Sequence, residues 1–227
     1  MSKRLSKEEL ETDPLIENYN RAVSYYLNHK NTIIASALAV IVLIGGIIGY
    51  NIYSANQEEQ AQQLLSIAEN YYSQSEYENA LYGDEFELTF GFDQIAEDFP
   101  RTKAGNISRF YAAVSSFELG DIENALMYIE DYKVPKGILG VGPLTLHAKL
   151  HLANENYEAA AKKFIEAANW NKNDITTPAN LLEAAQAHYQ AGNLERADEL
   201  VTQIIDNYPN SNQLVESQRL KGMIAAK

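Results

Sequence analysis

His147 and His151 stand four residues apart, a spacing that puts both imidazoles on one face of a helix. That spacing is half of a helical zinc site. The stretch reads HAKLH, however, and lacks the glutamate that serves as general base in zinc peptidases of the HExxH type. Zinc also needs a third protein ligand and an orienting outer shell. His188 falls in the same repeat slot as His151, which makes packing between helices the favoured role for all three. With no cysteine in the chain, disulfides, thiolate metal sites, cysteine nucleophiles and a lipid-modified N-terminal cysteine are excluded. No glycine-rich phosphate loop, G-x-S-x-G elbow or paired-carboxylate motif occurs. The residues therefore suggest no enzyme, no cofactor and no metal. An enzyme built on the histidine pair is the reading that bound metal in the purified protein would revive.

The elements that carry these side chains follow one apolar run. Residues Thr32 to Tyr50 read TIIASALAVIVLIGGIIGY, and no charged residue lies between Lys30 and Glu58. A hydrocarbon core about 30 Å thick needs roughly 20 such residues in a helix. Cleavable signals have shorter apolar stretches and small residues at the cut, whereas this run is long and Tyr53 stands where a small residue is needed before Ala55. The expectation is an uncleaved anchor over residues 31–53, with Tyr50 and Tyr53 at the interface. Gly45 and Gly49 form a GxxxG pair suited to close packing of membrane helices, and Ala35 and Ala39 repeat the small-residue spacing.

Charge sets the expected orientation. Lys3, Arg4, Lys7, Arg21 and Lys30 precede the span, and the next basic residue is Arg101. Positive charge stays inside, so residues 1–30 are expected in the cytoplasm and residues 54–227 across the membrane, which in a bacterium is the periplasm. Five carboxylates offset those five cations, so the whole net charge of -13 falls beyond the span. Such a domain repels phosphate backbones and anionic headgroups, which argues against nucleic acid as a partner. Within the first segment, Asp13-Pro14 reads as a helix start. Leu15, Ile16, Tyr19, Ala22, Val23, Tyr26 and Leu27 then share one face of a helix over 14–29. That face suits either the membrane interface or a membrane partner.

Beyond the span, a helix-turn-helix pattern recurs at roughly 34 residues. The clearest copy covers 178–209, with Leu181, Ala184, Ala185 and His188, a Gly192-Asn193 turn, then Ala197, Val201 and Ile204, closed by Pro209. Copies over 106–134 and 141–172 repeat the order, with Ala113 and Ala125, then Ala148 and Ala160. A degenerate copy near 61–100 has Ala68 and Ala80, and its second helix breaks at Gly83-Asp84 before a further stretch, Phe86 to Phe99. Residues 212–226 read as a polar capping helix. The fold class expected is all-α, with almost no strand.

These residues resemble the tetratricopeptide repeat, with small residues at its positions 8 and 20 and a closing proline. The resemblance implies a right-handed superhelix whose concave face binds protein. In that register the face includes Leu65, Tyr72, Phe110, Val114, Phe117, Leu152, Leu182 and Tyr189. Exposed apolar patches of this kind mark partner sites. The alternative is that the stretch Phe86–Phe99 folds back and fills part of the groove.

The layout as a whole is similar to the ancillary Sec translocon subunit family of bacterial inner-membrane proteins. Tyr25 to Leu65 carries that anchor and polar neck. The resemblance implies a single-pass protein near translocon subunits and a periplasmic chaperone, with unfolded or envelope proteins as clients. The interrupted first copy, ALYGDEFELTFGFDQI, resembles a branch of membrane-anchored repeat proteins with other roles. A scaffold for cell division or outer-membrane export therefore stands as the alternative function.

Overall fold

The computed structural model describes residues 14–227. The Asp13 cap and the charges ahead of it lie outside the described residues. Internal contacts divide the chain into residues 1–56 and 57–227.

Helix α1 (Pro14–Ser73) runs through the first unit without a break. The expected cytoplasmic helix 14–29 and spanning helix 31–53 are one element, because nothing at Asn28–Asn31 breaks a helix and no proline follows Pro14 until Pro100. Its apolar window is long enough to cross a membrane, and none of that window is buried. The early face is uncovered as well: Leu15, Tyr19, Val23, Tyr26 and Leu27 are exposed. Open space surrounds Gly45 and Gly49.

In the second unit the helices follow in pairs. They are α2 (Tyr77–Tyr82), α3 (Phe92–Asp98), α4 (Lys103–Glu118), α5 (Ile122–Glu130), α6 (Val141–Ala153), α7 (Tyr157–Trp170), α8 (Thr176–Gln190), α9 (Leu194–Asn207) and α10 (Leu214–Ala225). No strand occurs among the described residues. Successive helices pack on one another, and α4 also touches α6, α6 touches α8 and α8 touches α10. Contact with both the next helix and the next but one is how stacked two-helix repeats bury a continuous core.

Small residues explain the closeness of each pair. Ala68 and Ala80, Ala113 and Ala125, Ala148 and Ala160, and Ala185 and Ala197 are all fully buried. Each pair spans one helix-helix seam at the same separation. Larger side chains then fill between the repeats: Leu81, Phe92 and Ile95 in the first core cluster, Ile129 and Leu150 in the second, Phe164, Leu181, Val201 and Ile204 in the third.

The turns are equally regular. Ser75, Gly120, Glu155 and Gly192 all have positive φ, of 63°, 82°, 55° and 81°. After each, an N–H reaches back to close the helix: Glu76 to the Tyr71 carbonyl, Asp121 to Ser116, Asn156 to His151 and Asn193 to His188. This is the left-handed helix ending that glycine adopts without strain.

The first copy departs from the sequence expectation. The stretch after Gly83 is not helical from Phe86; α3 begins only at Phe92. Asp84 Oδ1 accepts from the Phe86 and Glu87 N–H groups at 2.7 and 3.1 Å, as a helix cap does, and its own N–H donates to Thr89 Oγ1 at 2.8 Å. The turn it starts ends at once because Leu88 takes a φ of 53°, outside the right-handed helical region. The loop neck is pinched, since a Cβ on Gly91 would sit 2.1 Å from the Leu81 carbonyl oxygen.

Candidate protein-binding surface

Helices α4, α6 and α8 position most of the expected concave residues, and α1 supplies the rest. The row does not form one open strip. Leu65 is 7% exposed and Leu182 is 8% exposed, so both serve in the core of their own chain. Tyr72 and Tyr189 pack half-buried at the edges of the first and third clusters, Leu152 beside the third, and Phe110 and Phe117 beside the second. Val114 is half-buried. At the α1 end the chain fills its own surface. Phe92 of α3 stacks on Tyr111 at 5.1 Å, and both rings meet Tyr72 edge-on at 6.3 and 4.9 Å.

The aromatic run continues through Phe110, which contacts Tyr111 at 5.8 Å and Tyr132 at 5.6 Å. There it reaches a cavity of about 610 Å³ between the start of α4 and the segment after α5. Ile107, Phe110, Tyr132 and Leu139 give it apolar walls, and Arg101, Lys103 and Lys133 stand around it. Its shape is fixed by backbone bonds. Glu58 accepts from the Lys103 and Ala104 N–H groups at 2.6 and 3.2 Å, neutralising the open end of α4. Asn106 pairs with the Lys133 backbone in both directions, at 3.0 and 2.8 Å. Burial pushes the Tyr132 phenol up from its ordinary range.

Sequence reasoning found Phe110 but missed this cavity. Its residues come from three stretches on either side of α5, and no single helical period links them. The available signal was weak: two short basic pairs, Arg101 with Lys103 and Lys133 with Lys136, in a chain with 31 acidic and 18 basic residues.

The histidines sit elsewhere. His147 is 8% exposed and stacks on His151 with ring centroids 4.9 Å apart. His147 Nε2, His151 Nδ1 and His188 Nδ1 are buried without a protein partner. Burial drives the His147 imidazole down to about 4, helped by the nearby Lys163 and His151 charges. Burial lowers His151 and His188 as well. Among the described residues, no group of three or more His, Asp or Glu side chains converges as a metal site would require.

The repeat geometry agrees with comparison to known proteins. A profile of the tetratricopeptide repeat-like domain matches residues 24–169, more than half of the 227-residue chain. The chain belongs to that family. A second profile, the tetratricopeptide repeat, matches residues 179–211, which hold α9 and most of α8. Among solved structures, a crystal structure of nearly identical TPR-like repeats, described as kinesin light chain from Podosopora anserina, shares the fold. It has a TM-score of 0.51 and 15% identity, and the alignment covers 74% of this chain and 94% of that one. No curated protein matches the chain. Tetratricopeptide repeats are interaction scaffolds rather than catalytic folds, so this member of the family is a protein–protein interaction module. The first match begins at residue 24, ahead of the apolar run, and so includes that run together with the earlier repeats.

Proposed function

We propose that this tetratricopeptide protein is a non-enzymatic, single-pass, membrane-tethered adaptor. In this reading α1 crosses the bacterial inner membrane, the N-terminus is cytoplasmic and residues 54–227 lie in the periplasm. The observation that carries it is the dual use of α1. Its apolar window is entirely unburied, while its later residues Ala61, Leu65, Ala68 and Tyr71 are core of the first repeat. A soluble protein has no reason to leave an uninterrupted apolar run of that length uncovered.

The setting we favour is the Sec translocon, through the resemblance of the anchor and neck to its ancillary subunits. The domain would act near a periplasmic chaperone on emerging or envelope proteins. Tethering raises effective concentration, so weak and broad contacts suffice. Phe110 and Phe117 are half-buried, as are Tyr72, Val114, Leu152 and Tyr189, so these members of the concave row still meet solvent. The test is photocrosslinking from Gln57 and from Phe110 in native membranes, read by mass spectrometry. Adducts with translocon subunits support the assignment. Adducts confined to division or export components transfer the adaptor to another envelope machine.

A further inference from the structure

Two features of the repeat domain fit each other, and one of them lies at the Phe110 aromatics that the adaptor reading also uses. The first is the loop between α2 and α3. Phe86 is 97% exposed and Leu88 is 84% exposed. The loop is nevertheless tightly built. Besides the Asp84 and Thr89 bonds, Glu87 accepts a hydrogen bond from Tyr71 Oη at 2.8 Å, and Leu88 is held at a φ of 53°. A leucine with positive φ is uncommon, so the backbone holds its tip against local preference. Two apolar side chains are thereby presented to solvent on a backbone held by hydrogen bonds, the arrangement that lowers the entropic cost of docking. Asp84, Glu85 and Glu87 surround them with negative charge.

The second feature is the cavity at Phe110. It has the reverse character, with apolar walls and three cations and no carboxylate in its lining. Among the described residues, Arg101, Lys103 and Lys133 have no salt-bridge partner. An acidic-rimmed apolar plug and a basic-rimmed apolar socket thus occur on one chain, and the plug projects into solvent rather than filling the socket.

We infer that the 84–88 loop of one copy docks in the Phe110 cavity of a second copy, with Phe86 as anchor and the acidic rim against Arg101, Lys103 and Lys133. Plug and socket are different surfaces, so the contact is heterologous and leads from one copy to the next in a ring or row. Charge complementarity of this kind also rejects other occupants. The same socket repels basic peptides, and the same plug is repelled by acidic surfaces.

The experiment uses the full chain in detergent micelles, labelled with donor or acceptor dyes, with circular dichroism to verify folding. Native chains associate, and Phe86→Ala raises the dissociation constant about tenfold or more, as loss of a central aromatic anchor does. An Arg101→Glu, Lys133→Glu double variant loses association to a similar degree. Mixing the two defective chains restores energy transfer, since one retains a socket and the other a plug, and growth stops at pairs. The inference is overturned if native chains are monomeric up to about 100 μM, where a small interface of this kind is populated. It is overturned equally if both variants associate as native chains do, which assigns self-association to the apolar helix, or if the mixture fails to pair.

Discussion

His147 is the residue whose environment departs most from its ordinary chemistry. The unfolded chain binds a proton there near pH 6.5, whereas the folded chain resists until about pH 4. The unfolded state therefore holds more protons between those limits, and stability falls as pH drops through that window. The full loss is about 3 kcal/mol at most, and it is present by pH 4 and absent above pH 7. Urea unfolding at pH 7.5, 6.5, 5.5 and 4.5 should show the decline, and His147→Leu should flatten it. An unchanged slope in that variant would show that His147 is solvated. The seam alanines make a second prediction. Ala160 is fully buried where α6 meets α7, so Ala160→Leu should cost about 1–3 kcal/mol by overpacking. Phe164→Ala should cost about 3–5 kcal/mol through the cavity it leaves. Both appear as lowered midpoints in denaturant. The seam alanines were legible in the sequence, because their spacing is set by helix geometry alone. The burial of Leu65 and Leu182 was not, since the same spacing serves a residue covered by its neighbours and one left for a partner.

At the scale of elements, the repeated turn is the clearest device. Two copies use glycine and two do not, although all four adopt the same left-handed ending. Gly120 and Gly192 were visible as turn signals; Ser75 and Glu155 were hidden because neither side chain favours that backbone. Glu155→Gly should therefore raise stability by about 0.5–1 kcal/mol, and Gly192→Ala should lower it by about 1 kcal/mol. Thermal melts of the full chain in detergent would separate the two directions. The α2–α3 loop tests a different point. Extending α3 back to Phe86 follows from hydrophobic pattern, but the turn capped by Asp84 stops at Leu88, whose φ of 53° no right-handed helix continues through. Asp84→Ala should loosen the loop and speed amide exchange at Phe86 and Glu87 while leaving α4 to α9 protected. Loss of protection throughout would mean that the loop is part of the folding core.

At the scale of the molecule, one chain carries an apolar helix followed by an acidic interaction domain. The all-helical repeat fold was legible because each copy carries its own period, turn and small residues. The socket was not, because it is assembled across α5 from segments that share no period. The tether rests on the uncharged apolar run between Lys30 and Glu58, and the direction of the domain on the basic residues ahead of it. The chain has no cysteine, so introduced thiols can be read without background. The decisive measurement places single cysteines at Ser6 and at Lys227 in the full chain, expressed in bacterial cells with a permeabilised outer membrane. A membrane-impermeant maleimide should label Lys227→Cys at once and Ser6→Cys only after the inner membrane is breached. Immediate labelling of Ser6→Cys with Lys227→Cys protected, or protection of both, would contradict a periplasmic repeat domain held by a single anchor.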